Sequence, residues 1–425
     1  PYFVPHVTAR CRAFFTHCHP SGAFRGFGVP QGAIAHEAMM DELADKLGMD
    51  RLAFRRLNAL KAGDATATGQ VLAHSVGLPQ CLDALQPHWD AALAACAHYN
   101  KTSDTKRRGA GIGCMWYGIG NTALSNPSTM RIGLSAKGKL TLYNGAVDIG
   151  QGSNTILTQI AADALGLPMS QFRIIMGDTD RTADAGKTSA SRQTFVSGKA
   201  VELAGRDLRA KLLALLEASP DASLSLEGSV IKARDAKGEH QYDLAWLPAR
   251  YGDDVLRGEG SFDPPTSPQD ADGQGVPYAT YAYAAQLAVV EVDGELGTVK
   301  VLEIVAAHDV GKAINPIQVE GQIHGGTIQG LGLALMEEYL PGRTENLHDY
   351  LIPTIGDIPD MKCILIEDAE PLGPAGAKGV GEPGLIPTAP AILGAIQHAT
   401  GVRMRQVPVL PHRLRAALKQ QAETE

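Results

Sequence analysis

The chain has 425 residues, beyond the size at which one hydrophobic core usually keeps growing, so more than one domain is expected. A formal net charge of -8 leaves no broad basic face to neutralise phosphates, which excludes nucleic acid as an expected partner. No apolar run is long enough to span a bilayer and none has the build of a secretory signal, so a soluble, cytoplasmic protein without a membrane span is expected.

Taken in chain order, the opening Pro1-Tyr2-Phe3-Val4-Pro5 reads as the interior of a longer protein. His17-Cys18-His19 offers zinc-type ligands, but adjacent residues rarely point at one ion and Pro20 follows, so an exposed loop is expected. Residues 22–32 form a glycine-rich loop that feeds a helix through Ile34, Met39, Met40, Leu43 and Leu47, closed by Gly48. Asp50 can cap a second short helix through Phe54 and Leu57, and residues 61–70 read as a surface connection. The polar stretch 96–108 marks a domain boundary. Beyond it, Met130, Ile132 and Leu134, a turn at residues 136–139, and Leu140 and Leu142 spell a hairpin.

Helical spacing returns at Ile156, Ile160 and Leu165, ending at Gly166, and again at Val201, Leu208, Leu212 and Leu215. Residues 262–275 are rich in Pro, Asp and Gly and read as an exposed loop. A second hairpin runs from 287–292 through Asp293-Gly294 to 299–304, with the Asp-Gly pair expected to supply the positive backbone angles of the turn. A strand is expected at 363–366. Hairpins interleaved with helices argue for an α+β architecture with mixed sheets and packed helices. The six cysteines contain no Cys-x-x-Cys pair, so no zinc ribbon or iron–sulfur cluster can be built from local spacing; they read as mostly buried thiols.

Five glycine-bearing segments border regular elements: residues 22–28, 148–152, 186–193, 321–326 and 379–384. Glycine lets backbone N–H groups come close to an anionic or planar ligand, and a following helix adds its positive end, so several such loops could line one large polar cofactor. Each taken alone could be a turn that needs a left-handed residue. Gly379-x-Gly381-x-x-Gly384 matches the dinucleotide fingerprint in spelling, but no strand ends directly before it, Pro383 and Pro387 interrupt an early helix, and no acid follows about 20 residues on; a nicotinamide site is rejected. Glu382 lies between glycines in the otherwise uncharged run 379–399, where desolvation would make a carboxylate a usable base; a surface carboxylate is the alternative. A Ser–His–Asp hydrolase lacks its Gly-x-Ser-x-Gly elbow.

In this order the segments resemble the molybdenum-cofactor subunit of the xanthine oxidase and aldehyde oxidoreductase family. The resemblance rests on Ala23-Phe24-Arg25-Gly26-Phe27-Gly28-Val29-Pro30-Gln31, Asp148-Ile149-Gly150-Gln151-Gly152, residues 188–193, Asp309-Val310-Gly311 with Asn315-Pro316, and Gly379-Val380-Gly381-Glu382-Pro383. It covers essentially the whole chain and implies that residues 1–100 are the end of a first molybdenum-cofactor-binding domain and 101–425 a second. It further implies a molybdopterin, in its cytosine dinucleotide form, whose metal has no direct protein ligand but lies near Arg25, Ala190 and Glu382. By the same resemblance Glu382 is the base that deprotonates the metal's hydroxide or water ligand while hydride passes to the metal centre. Arg25 is the cation beside it and Phe27 the aromatic that sandwiches a flat substrate. Gly26, Gln151, Gly152, Ser189, Ala190, Ser191, Arg192, Gln193, Gln322, Gly379, Val380 and Gly381 fall on cofactor-binding positions.

The family subunit continues upstream of Pro1, so a chain carrying that part is an expected partner, as are a 2Fe-2S subunit and an FAD subunit or other electron acceptor. Residues 21–31, 67–72 and 114–121 look closest to nicotinate-dehydrogenase-type subunits, which implies hydroxylation of an electron-poor carbon in a nicotinate- or purine-like small molecule. An aldehyde is the nearest rival substrate. A non-catalytic cofactor-carrying or assembly subunit is the alternative of another class.

Overall fold

The computed structural model describes residues 1–103 and 105–424. Its helices in chain order are α1 (Val29–Leu47), α2 (Arg51–Asn58), α3 (Leu78–Tyr99), α4 (Ser153–Leu165), α5 (Gly198–Leu215), α6 (Pro316–Leu335), α7 (Thr388–Thr400) and α8 (Pro411–Thr424). Its strands are β1 (Lys106–Gly118), β2 (Ser128–Ser135), β3 (Leu140–Asn144), β4 (Phe172–Met176), β5 (Ser223–Glu227), β6 (Val230–Asp235), β7 (Gly238–Asp243), β8 (Asp254–Phe262), β9 (Tyr281–Asp293), β10 (Thr298–Asp309) and β11 (Asp360–Ile366).

They form three sheets, ordered β1-β9-β10-β11, β4-β3-β2-β8 and β5-β6-β7. The first two are mixed, because β10 pairs β11 and β3 pairs β4 in parallel while the remaining pairs are antiparallel. This is the α+β, mixed-sheet architecture that the alternation of hairpins and helices implies. Among the described residues, no helix is long and apolar enough to cross a membrane.

The first sheet is buried on both faces. On one, α3 lays Leu78, Leu82, Leu85 and Trp89 against Ala110, Ile112 and Cys114 of β1 and Tyr283, Ala285 and Leu287 of β9. On the other, α7 brings Ile392, Ala395 and Ile396 against Ala288, Val290 and Val292. The period-2 alternation of β9 thus serves two cores at once. The second sheet packs Met130, Ile132, Leu134 and Leu142 against Ile160 of α4 and Val201, Leu208 and Leu212 of α5.

Both expected hairpins form, as β2/β3 and β9/β10. In the second, however, the positive backbone angle belongs to Gly297, at φ +72°, rather than to the Asp-Gly pair. Asp293 instead accepts hydrogen bonds from the backbone N–H groups of Glu295 and Leu296 with its side chain, so the reversal is longer than a two-residue turn. Asp50 caps α2 by accepting from Ala53 N–H, and Gly48 closes α1 in the left-handed region, both as the sequence spells them.

Helix α3 has no counterpart in the sequence reading; it ends at Tyr99, and β1 begins at Lys106. Pro87 stands inside this helix and obscures it. An interior proline costs about 3 kcal/mol, but each fully buried Leu returns about 2 kcal/mol, so the stripe Leu78, Leu82 and Leu85 carries the helix past it.

Cys81, Cys96 and Cys114 are buried free thiols, Cys363 is half-buried, and Cys11 and Cys18 are exposed. His17 to His19 lie on an exposed, irregular segment, and among the described residues no group of His, Cys, Asp and Glu could hold a metal ion.

Candidate active site

Loops from both mixed sheets converge on one cavity of about 990 Å³, the size of a site for a large ligand. Its wall takes residues from the loop before α1 (Phe24, Arg25, Phe27), the end of β1 (Tyr117), the loop before α4 (Gln151), residues 187–194 before α5, the start of α6 (Gln318, Gln322) and the loop 380–382. All five glycine-bearing segments therefore contribute, although they are separated by up to about 360 residues of chain. Of the expected site residues, Gly26, Gly152 and Gly379 do not line the cavity and act through backbone geometry.

Gly379 shows why. A Cβ there would lie 1.8 Å from the Ser191 carbonyl oxygen, so the loop carrying Glu382 can lie on the 188–193 loop only with glycine at this position. The second loop is itself unusual: Ala190 and Ser191 both sit in the left-handed region at φ +54° and +52°, which costs energy for a residue with a Cβ and is met at functional loops. That conformation turns the Ala190 carbonyl to accept from Gly120 N–H at 2.9 Å and brings the Ser191 side chain to Glu382.

Glu382 is half-buried at the cavity wall. Its backbone N–H donates to Ser191 Oγ at 3.0 Å, and Ser191 Oγ donates to its Oε2 at 3.2 Å. Tyr117 OH donates to the same oxygen at 2.5 Å. Burial and the adjacent Glu382 charge push the Tyr117 hydroxyl well above the ordinary tyrosine range, so it remains a donor. Oε1 makes no hydrogen bond among the described residues. Tyr117 is a functional-site residue that the sequence reading missed: its partner lies 265 positions away, and no local motif couples the two.

Arg25 spends its guanidinium on the protein. Nε donates to Gly381 O at 2.5 Å, Nη1 to Gln329 Oε1 at 3.0 Å, and Nη2 to Gln322 O and Oε1 at 2.9 and 3.2 Å. It thus joins the loop before α1, the α6 helix and the Glu382 loop. Burial lowers its pKa, and the nearby Glu382 opposes that shift.

Arg192 is likewise consumed. It is 1% exposed and donates to the carbonyls of Ala185, Lys187, Asn126 and Pro127 and to Asn126 Oδ1, which braces the loop at the cavity wall. Asp148 accepts from the N–H groups of Gly150, Gly152 and Asn154, which keeps its carboxyl below the usual range despite its desolvation and shapes the entry to α4.

Whether these residues suit a pterin cofactor can be tested on their unspent groups. Gln193 and Gln318 line the cavity, and Oε1 of each is buried without a hydrogen-bond partner among the described residues. An unsatisfied buried acceptor is costly unless a ligand's N–H completes it, and pterin edges offer such donors. Gln151 Nε2 donates to Val147 O and Ser153 Oγ, and Gln322 Oε1 accepts from Arg25, so these two amides are already oriented. The donor set, the orphan acceptors and the volume fit a large polar cofactor.

Comparison with known proteins agrees with this fit. Molybdopterin cofactor-binding domain models match residues 1–59 and 84–359. A putative xanthine dehydrogenase molybdenum-binding subunit of Escherichia coli K12 is 32% identical over 437 residues, covering 97% of this chain and 56% of that protein. The aldehyde oxidoreductase of Desulfovibrio desulfuricans superposes with a TM-score of 0.81 at 32% identity, over 93% of this chain and 41% of that one. Quinoline 2-oxidoreductase of Pseudomonas putida superposes with a TM-score of 0.78 at 27% identity, over 94% and 53%. The chain spans about half the length of the relatives it matches.

Proposed function

This chain belongs to the xanthine oxidase and aldehyde oxidoreductase family as a molybdopterin-binding part, and on that premise we propose that it carries the general base of a molybdenum hydroxylase, Glu382. The single observation that carries the reading is the carboxylate itself, half-buried at the wall of the large cavity, with one oxygen bound by Tyr117 and Ser191 and the other unbonded among the described residues. When bound, the cofactor supplies the oxygen nucleophile and accepts the two electrons of the oxidation.

Gln151, Ser189, Ala190, Ser191, Gln193, Gln322, Val380 and Gly381 would hold it, and Arg192 would brace their loop from behind. Glu382 holds a proton at Oε1 and returns it to solvent between turnovers. Arg25 keeps Gly381 and Gln322 in place, and its charge acts on the reaction across the wall instead of through a hydrogen bond to substrate. Phe24 and Phe27, at 41% and 69% exposed on the wall, offer faces for a flat ring.

The substrate we assign is a nicotinate- or purine-like N-heteroaromatic compound, supported by the planar faces and by the likeness to a quinoline oxidoreductase. An aldehyde is the second reading, supported by the closer likeness to an aldehyde oxidoreductase. The pterin is assigned its cytosine dinucleotide form. The rest of the molybdenum-binding subunit, a 2Fe-2S protein and an FAD protein are the partners assigned to complete the enzyme, in the cytoplasm.

The test uses the complex purified with its molybdenum. Turnover of nicotinate, hypoxanthine and benzaldehyde is followed with a dye electron acceptor, alongside metal analysis. Glu382→Gln is expected to lower kcat by about 10²- to 10⁴-fold with molybdenum retained, the usual range for loss of a general base. A Glu382→Gln enzyme that holds molybdenum and turns over at the native rate sinks the assignment.

A further inference from the structure

We infer that Tyr117 is a positioning residue that, together with Ser191, ties up Oε2 of Glu382 and leaves Oε1 as the one oxygen available for proton transfer. The inference rests on the reading of Glu382 as base and adds which atom acts and what holds it.

A glutamate side chain on a loop has three rotatable bonds and two equivalent oxygens, so an unrestrained one presents its basic atom in many directions. Here two donors from different elements meet on a single oxygen, Tyr117 OH at 2.5 Å and Ser191 Oγ at 3.2 Å. The same Ser191 hydroxyl accepts the Glu382 backbone N–H at 3.0 Å, so one residue fixes both ends of the glutamate. Tyr117 cannot follow if the carboxylate swings away. It sits on β1 opposite Ala282 of β9, is 6% exposed, and packs in a core with Met115, Ile119, Phe195, Ala284 and Ile386.

The hydroxyl also keeps its proton: burial first, and the Glu382 charge second, hold it in the protonated form, so it stays a donor to the carboxylate. A base held in one orientation avoids the entropic loss of finding it at each turnover, and such pre-orientation acts on the chemical step more than on substrate affinity.

Tyr117→Phe removes the hydroxyl and keeps the ring in its core, so it separates positioning from packing. In the molybdenum-loaded complex, kcat is expected to fall about tenfold with KM within about twofold and metal content unchanged, the usual size of a hydrogen bond to a charged group. Tyr117→Phe/Ser191→Ala is expected to lose more than either single variant, because each donor restrains the carboxylate only in part and neither remains in the double variant. Independently of turnover, the crystal structure of the Tyr117→Phe complex is expected to show the Glu382 side chain in more than one conformer.

The proposal is overturned if Tyr117→Phe keeps kcat within twofold while Glu382→Gln is inactive, in which case the base assignment stands alone. It is also overturned if lost activity tracks lost molybdenum, or if Glu382 keeps a single conformer without the hydroxyl. A Glu382→Gln enzyme with native turnover removes both the base and its clamp.

Discussion

The Lys378 ammonium and the Asp309 carboxylate meet at 2.5 Å with both side chains fully buried, four residues before Glu382. Asp309 also accepts from the N–H groups of Gly77 and Gly311, and Lys378 Nζ donates to Ser75 O at 3.3 Å, so the pair joins three stretches of chain. Burial raises the Asp309 carboxyl above its ordinary value, and Lys378 pulls it back. Removing one partner leaves a buried charge without its counter-charge: Lys378→Met is expected to cost about 3–5 kcal/mol in urea denaturation, whereas Lys378→Met/Asp309→Leu should recover much of it. A single variant costing under about 1 kcal/mol would refute this account. At this scale the sequence exposes Glu382, because glycines on both sides and the lack of nearby charge mark it. It hides Tyr117 and Lys378, whose meaning lies in partners dozens to hundreds of residues away, and it gives no sign that the Arg192 donors turn back to nearby backbone carbonyls and to Asn126 Oδ1.

The contact of β1 with α7 decides how the Glu382 loop is seated, since α7 begins six residues after Glu382. Gly109, Gly111 and Gly113 alternate on the face of β1 that meets α7, and a Cβ on Gly111 would stand 2.1 Å from Ala395 N and 2.2 Å from Ala391 O. The helix therefore lies directly on the strand backbone. Gly111→Ala is expected to push α7 outward and cost about 1–3 kcal/mol, read as a lower Tm. Gly321→Ala in α6, where a Cβ meets nothing within 4 Å, is expected to stabilise by about 0.5–1 kcal/mol. If both variants melt together, close packing is not what requires glycine in β1. The sequence shows these glycines but gives no reason for them, because β-propensity alone would call a strand so rich in glycine weak. α7 compensates by covering the strand, and that contact joins residues about 280 positions apart.

Acid is expected to loosen the whole molecule, through two buried groups. His308 is fully buried and burial pushes it down to about 3, from an ordinary value near 6.5. Between those values the unfolded chain binds a proton that the folded chain refuses, so stability is complete above pH 6.5 and declines as pH falls, by up to about 1.4 kcal/mol per pH unit. Glu37 is buried, which by itself would raise it, but Arg55, His36 and Tyr2 hold it at about 2. Its contribution is present above about pH 4.5 and is lost as pH falls toward 2, in the same direction. The urea midpoint should thus fall between pH 7 and 4.5, and His308→Leu should flatten that fall, although it also costs the Gln286 contact at 3.1 Å. An unchanged slope in His308→Leu would show that other groups set the acid limit. Taken as a whole, the sequence by itself determined the local devices: capped helices, both hairpins, the α+β class, the glycine loops and a carboxylate between glycines, each written in neighbouring residues whose geometry is short-range. Only the tertiary structure decided which of those loops share a wall, that Arg25 and Arg192 brace loops with their donors, that α3 runs through Pro87, and that a tyrosine at the end of β1 holds the carboxylate. Hydrogen-bond distance and burial depend on residues far apart in the chain, and spacing along a sequence carries no record of them.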